Sequence, residues 1–455
     1  LGLGAKTPMA ARPSRGLDVV IWGATGFTGR VVSSYFATTI AARHPDLRWA
    51  LGGRNEGRLS EVKAEVVSLA TAKGIRVDPP VLVAGDASAL DQVVGRTRVV
   101  LSTAGPFLRH GMPLVDACVR AGTDYLDITG ETPFVRRNLD VHGTAAAQAG
   151  VFVVSMCGFD SVPSDLGTLF AAQAVHRTFG EKVQRVEARV TMMGSLSGGT
   201  LESGMAMERD PELKAQLDNP FLLGGEPQGG ARQEDADITT AEFSHEDGCW
   251  MAPFMMAPLN TRVVRWTRTL FPGLFASDFH YQERMLVPTE GLARKLAKGS
   301  PPVEKREEMR SAGRLPRPGQ GPSPEEREAS FFHIKFVAES ESGQRLVASL
   351  SGGDPGYAET SKMVSEAAVA MCREREHLHA VQQGIHGGVL PPAFVFGDVL
   401  IERLQEAGLE FQIAEPRPPT GESDGRGVFR QRNSGVDAGS PASTSTPTPQ
   451  PTSKL

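Results

Sequence analysis

Leu17-Asp18-Val19-Val20-Ile21-Trp22-Gly23-Ala24-Thr25-Gly26-Phe27-Thr28-Gly29 is the stretch that decides how this chain folds. The apolar run from Leu17 to Trp22 has the length of a buried strand. Beyond Thr28, the residues Val31, Val32, Tyr35, Phe36 and Ile40 recur at helical spacing. The glycines between them predict a strand, a tight turn and a helix. Glycine serves where backbone must adopt positive φ or approach a ligand closely. The helix then aims its free N–H groups and the positive end of its dipole at whatever lies over the turn, and a diphosphate suits that place. The Gly-x-x-Gly-x-x-Gly spacing is weak evidence alone, because a turn that merely packs a helix on a strand needs the same residues. A strand before it, an amphipathic helix after it and a place at the head of the first domain favour a dinucleotide. Gly23, Thr25, Gly26, Phe27, Thr28 and Gly29 are the candidate contacts.

A chain of 455 residues is too long for one ordinary core, so two domains with tails are expected. The net charge of −5, without a long basic block, argues against nucleic acid as a partner and for small molecules. Cys118, Cys157, Cys249 and Cys372 are widely spaced, so neither a disulfide framework nor a zinc site is indicated, and no metal is expected. No apolar run reaches the ~18 residues that a membrane span needs. The apolar stretch 251–259 is broken by Pro253 and Pro258. Lys6, Arg12 and Arg15 precede any acidic residue, the mark of a transit-peptide remnant or, more simply, of a frayed N-terminus.

Along the chain, residues 48–54 form a second strand pattern ending in Arg54, with Arg58 one turn later. A site selective for NAD usually carries Asp or Glu there. A guanidinium fork instead matches the 2′-phosphate, so Arg54 predicts NADP. Residues 59–72 read as helix and 81–86 as a third strand, whose Asp86 could sit at the adenine edge or only cap the next helix. Residues 98–107 make a fourth strand that runs into Ala104-Gly105-Pro106, placed to pass the nicotinamide ribose. Strand patterns at 124–129 and 151–157, with helical patterns at 112–121 and 136–149, complete a Rossmann-type, doubly wound parallel α/β sheet.

The blocks 23–29, Gly53-Arg54-Asn55, Gly105-Pro106-Phe107, 124–131, 157–165 and 387–397 resemble the saccharopine dehydrogenase-like oxidoreductases, a group that includes the bacterial trans-acting enoyl reductases. The likeness runs from about Asp18 to about Phe411. It implies a nucleotide domain, a second α+β domain on an open sheet and late helices that fold back onto the first domain. Alternation at 182–193, 331–337 and 345–350 agrees with strands in that second domain, and 355–371 and 396–407 read as helices. The boundaries expected are a disordered N-terminus at 1–16, an NADP-binding domain at 17–158, a substrate domain at 159–413 and a disordered tail at 414–455. Residues 219–237 and 298–328 read as long mobile loops. Animal members of the group tend to carry an apolar, membrane-seeking segment in this later region, and the polar sequence here speaks against lipid-surface anchoring.

The Tyr-x-x-x-Lys pair of short-chain reductases is absent, because none of Tyr35, Tyr125, Tyr281 and Tyr357 has Lys at that spacing. Hydride transfer needs a proton donor or acceptor near the nicotinamide. The candidates are Asp127, Asp160 and Ser161, with Glu131, Cys157 and Asp165 beside them. Asp160-Ser161 ahead of Pro163 is also an ordinary helix start, Cys157 an ordinary core residue and His110 an ordinary surface one. Gly198-Gly199-Thr200 is an anion-binding helix start or only a turn.

The resemblance implies an NADP-dependent oxidoreductase acting on a lipid-like enoyl or carbonyl substrate. A non-catalytic NADP-binding scaffold or redox sensor at a lipid-handling organelle is the alternative, and a homodimer is a candidate assembly. Saccharopine fits less well, since no cluster of basic residues in the second half stands ready for its carboxylates. From Pro416 the composition turns to Pro, Ser, Thr and Gly, and it ends in Ser453-Lys454-Leu455, which the peroxisomal import receptor reads. Mitochondrion, lipid droplet and cytosol are the alternatives that the resemblance allows. Fused to a fluorescent reporter, residues 416–455 are expected to give peroxisomal puncta and, without Leu455, diffuse signal. Diffuse signal from both fusions would remove the import reading.

Overall fold

The computed structural model describes residues 15–195, 197–227 and 229–414. The terminal tripeptide Ser453-Lys454-Leu455 and most of both expected tails lie outside them. Arg15, placed in the N-terminal tail by its sequence, is tied down. Its guanidinium donates to the carbonyls of Val94, Gly95 and Ala121 and to Thr123 Oγ1, so order begins before the first strand.

The first layer is a parallel sheet of β1 (Leu17–Trp22), β2 (Trp49–Gly53), β3 (Val81–Val83), β4 (Thr97–Ser102), β5 (Asp124–Asp127) and β6 (Phe152–Val154). Its order is β13-β6-β5-β4-β1-β2-β3, in which β13 (Gly388–Val389) returns from late in the chain to pair with β6. The six strands read from sequence are present; β1 keeps the bounds of its apolar run and the other five are shorter than theirs. The seventh escaped because two residues carry no periodicity. Helices begin earlier than their patterns suggest. The Phe107–Ala121 helix starts five residues ahead of Met112 and includes Pro113, which has no N–H to donate to the carbonyl of Arg109 one turn earlier.

The second sheet contains β7 (Val183–Met193), β8 (Glu242–Ser244), β9 (Cys249–Pro253), β10 (Phe275–Val287), β11 (Phe331–Ser340), β12 (Arg345–Gly352) and β14 (Glu410–Ile413). It is ordered β14-β12-β11-β7-β10-β9-β8, and within it only β7 and β10 run parallel. Sequence reading missed β10. Its inward positions include Tyr281 and Glu283, both fully buried, and a buried carboxylate hides the apolar alternation.

The Val162–Phe179 helix joins the two layers, and its Gly167 lies under the Phe336 ring, where a Cβ would come within 2.2 Å of ring carbon. The Ala358–Arg373 helix packs along the Phe27–Tyr35 helix, with buried Glu366 accepting from Tyr35, Arg43 and Arg403. One apolar cluster runs from Val19 in the first sheet to Phe411 in the second. No helix among the described residues is long and apolar enough to cross a membrane.

Both stretches expected to be mobile loops are anchored at several of their described residues. In the Ala257–Arg268 helix, Arg262, Arg265 and Arg268 stand on one side at three-residue spacing, all buried. They hold residues 217–237 by donating to the carbonyls of Leu217, Asn219, Pro220 and Gly225, and Arg262 also pairs with Asp237. This basic cluster is spent on the protein's own carbonyls and on Asp237. Residues 298–328 contain the Val303–Ser311 and Pro324–Glu328 helices, and Arg306 and Arg310 pair with Glu208 and Glu202 of the Gly198–Arg209 helix. Arg262→Ala leaves Asp237 and two carbonyls without their donor. A loss of roughly 3 kcal/mol is expected, read as an earlier midpoint in urea unfolding with an unchanged slope.

Candidate active site

Backbone proximity builds the glycine turn. Gly23 sits at φ 87°, its carbonyl accepts from Gly26 N at 3.0 Å and Thr103 Oγ1 at 3.1 Å, and a Cβ on it would lie 2.9 Å from Ala104 N. A Cβ at Gly29 would lie 2.2 Å from Gly23 O, so this glycine lets the helix close on the turn. Gly26 is the N-cap and makes no side-chain cap, which leaves the first N–H groups of the Phe27–Tyr35 helix for an anion. A Cβ at Gly26 would meet only Gly23 O, at 3.4 Å, so a ligand can approach there. Thr25, Phe27 and Thr28 are half-buried around it.

Next to the turn, β2 is followed at once by exposed Arg54, with exposed Arg58 after it, and neither forms an ion pair among the described residues. Asn55 caps the Glu56–Ala72 helix, so Arg54 rather than its neighbour is left to meet a ligand. Asp86 caps the Ala87–Val94 helix through Ala89 N at 2.9 Å, which accounts for that residue without an adenine. Ala104 packs under Gly23. Gly105 and Pro106 form a cis turn into the Phe107–Ala121 helix. Glu131 caps this helix from a distance: its two oxygens accept from Phe107 N at 2.9 Å and Leu108 N at 2.7 Å, and Ser203 Oγ donates to it at 2.8 Å.

The expected catalytic residues separate by their partners. Asp127 is fully buried, and burial pushes its carboxyl up to about 6. It accepts from Thr129 N, Met156 N and Ser155 Oγ, and so fixes Met156 at φ 67° where β5 and β6 end. Ser161 is also buried, and its Oγ donates to Asn260 Oδ1 at 3.4 Å. Asn260 in turn donates to Glu283, which also accepts from Tyr281. Asp165 is taken by Thr267 and Ala393 N, and the Cys157 thiol is pushed up by burial. His110 is exposed.

Asp160 differs. Its side chain is half-buried, lies against Gly130 at the end of β5, and has no hydrogen-bond or ion-pair partner among the described residues. Burial alone pushes its carboxyl up to about 7. Tyr357, not singled out from the sequence, stands nearby. Its ring meets Phe27 edge-on at 4.8 Å, and burial, with a smaller push from the Asp160 charge, raises its phenol. Its only sequence signal is its place just after Asp354-Pro355-Gly356, a helix start.

Residues 19–154 match the saccharopine dehydrogenase NADP binding domain. A Mycobacterium tuberculosis protein provisionally named as a trans-acting enoyl reductase is 34% identical over 439 residues, covering 89% of this chain and 99% of that protein. A trans-acting enoyl reductase from Mycobacterium ulcerans is 31% identical, covering 87% and 97%. The chain belongs to the trans-acting enoyl reductases of the saccharopine dehydrogenase-like family. It is an NADP-dependent oxidoreductase. Among solved structures, saccharopine dehydrogenase (L-Glu forming) from Saccharomyces cerevisiae is similar with a TM-score of 0.48 and 16% identity over 88% of this chain and 100% of that one.

The residues present fit NADP. The uncapped helix start and the side-chain-free approach at Gly26 suit the diphosphate, and the unpaired guanidinium of Arg54 at the end of β2 suits the 2′-phosphate. In this oxidoreductase, Arg54→Ala is expected to weaken NADPH binding by on the order of tenfold or more, while NADH binding stays unchanged. Equal affinity of the wild type for the two coenzymes in a fluorescence titration would remove Arg54 from that role.

Proposed function

We propose that the chain reduces a hydrophobic enoyl or carbonyl substrate, with Asp160 as the proton donor. The observation that carries this reading is the Asp160 carboxyl. Unpartnered, and raised to about 7, it is held at the carboxyl end of the first sheet, where open α/β sheets receive their ligands. The names of the relatives support an enoyl group. The hydrophobic, lipid-like remainder of the substrate comes from the resemblance that the sequence blocks carry.

NADPH, when bound, supplies the hydride. The protein's part is to hold substrate against the nicotinamide side of the turn and to deliver a proton. Asp127 and Glu131 support this geometry: the first fixes the ends of β5 and β6, and the second anchors the helix after Gly105-Pro106. Between that helix and the Gly198–Arg209 helix lies an open cleft of ≈ 710 Å³ lined by Arg109, Ala206, Arg209, Asp210, Pro211 and Glu212. Its polar lining suits the head of a thioester better than its chain.

A general acid works only while protonated. With the Asp160 carboxyl titrating near 7, turnover is expected to hold below neutrality and fall as pH rises through about 7. NADPH consumption with long-chain enoyl and keto thioesters, against saccharopine, tests the assignment. Asp160→Asn is expected to lower kcat by roughly 10²–10⁴-fold with NADPH affinity retained and the alkaline decline gone. Turnover of saccharopine alone, or an unchanged pH profile in the variant, would overturn it.

A further inference from the structure

We propose that the Tyr357 hydroxyl is a second catalytic group, the donor that holds the substrate's carbonyl oxygen while Asp160 delivers the proton. This rests on the enoyl-reductase reading above and adds a residue that no motif marks. Reducing an enoyl thioester places the hydride on the β-carbon. The electrons of the carbon–carbon double bond then move toward the α-carbon and the carbonyl oxygen, which gains negative charge. One group must stabilise that oxygen and another must protonate the α-carbon. When Asp160 gives up its proton it is left as a carboxylate, which solvent reprotonates. A single carboxyl cannot serve both positions at once, so a reductase with only Asp160 would lack an oxygen donor.

Tyr357 meets the requirements of such a donor. It sits at the start of the Ala358–Arg373 helix, which lies along the Phe27–Tyr35 helix, and its ring meets Phe27 of the glycine turn edge-on at 4.8 Å and 88°. The phenol is therefore fixed beside the diphosphate loop. The hydroxyls of Ser197 and Thr200, at the start of the Gly198–Arg209 helix, lie against its oxygen, and Asp160 is close enough for its charge to be felt there. Only 3% of the residue is exposed, and burial keeps the phenol protonated, as a hydrogen-bond donor must be.

Three elements fix its position. Asp354 accepts from Gly356 N, Tyr357 N and Ala358 N and locks the backbone that carries the ring. Gly356 passes so close to Ser195 O that a Cβ would lie 3.3 Å from it. Gly321 also packs on the Phe27 ring, where a Cβ would come within 2.4 Å of ring carbon, and Gly198 N donates to Gln320 O at 3.0 Å. The phenol thus has little freedom to swing away from Asp160. That is what an oxygen donor needs, since a donor fixed in advance costs no reorganisation as charge develops.

The test is Tyr357→Phe, which keeps the ring against Phe27 and removes the oxygen. NADPH affinity by fluorescence is expected to stay within twofold of wild type, while kcat with an enoyl thioester falls by roughly 10²–10³-fold. The alkaline decline assigned to Asp160 is expected to remain. A readout independent of turnover uses trans-cinnamoyl-N-acetylcysteamine bound to protein holding NADP⁺. Its carbonyl stretch is expected to shift to lower frequency in wild type and to return toward the solution value in Tyr357→Phe. If the wild type turns over enoyl thioesters and the variant matches it in rate and carbonyl frequency, the Tyr357 role is overturned while the reductase reading stands. If the wild type reduces no enoyl thioester, both fall.

Discussion

The close contact between the backbone of Gly23 and Gly29 and the end of β4 is the constraint on which the rest of the structure depends. With a Cβ at Gly29 only 2.2 Å from Gly23 O, and one at Gly23 2.9 Å from Ala104 N, any side chain at either position would push the Phe27–Tyr35 helix away from the sheet. That helix is also the surface against which the late Ala358–Arg373 helix packs, so the turn positions Tyr357 and Glu366 as well as the diphosphate. A side chain at Gly29 would therefore loosen both the cofactor loop and the seam between the two layers.

Around this turn the protein gathers several carboxyls and assigns them different work by the donors that it supplies. Glu131 receives two backbone N–H groups and one hydroxyl, and Asp127 receives two N–H groups and one hydroxyl. Asp165 joins the Val162–Phe179 helix to Thr267 and to Ala393 N, across 228 residues of chain. These groups are structural because their oxygens are already engaged. Asp160 shares its residue type and a comparable upward push from burial with Asp165, but it has no donor among the described residues, and its proposed role rests on this difference.

The second layer uses arginine in the same economical way. Arg262, Arg265 and Arg268 fasten the 217–237 segment, and Arg306 and Arg310 fasten residues 303–311 to the Gly198–Arg209 helix. Composition rich in Gly, Gln and acidic residues at 219–237, and in Pro and charge at 298–328, suggested freedom in both segments. Composition counts what a segment can bury on its own and is blind to the charged partners that another helix brings, arginines for one segment and glutamates for the other.

The sequence by itself determined the first layer, because a parallel strand buried on both faces must be a continuous apolar run and a turn seated on a helix must be glycine. It also supplied Arg54, whose meaning follows from its place just after a strand, and it named Asp127, Asp160 and Ser161 as candidates at or beyond the ends of β5 and β6. What the sequence left open was which of those three lacks a hydrogen-bond partner among the described residues. Asp127 and Ser161 are held by residues 28 and 99 positions away, and Tyr357 reaches Phe27 across 330 positions. Burial and partnership of this kind belong to the pairing of distant segments. Only the tertiary structure, which brings the start of a late helix onto the first glycine turn, could decide them.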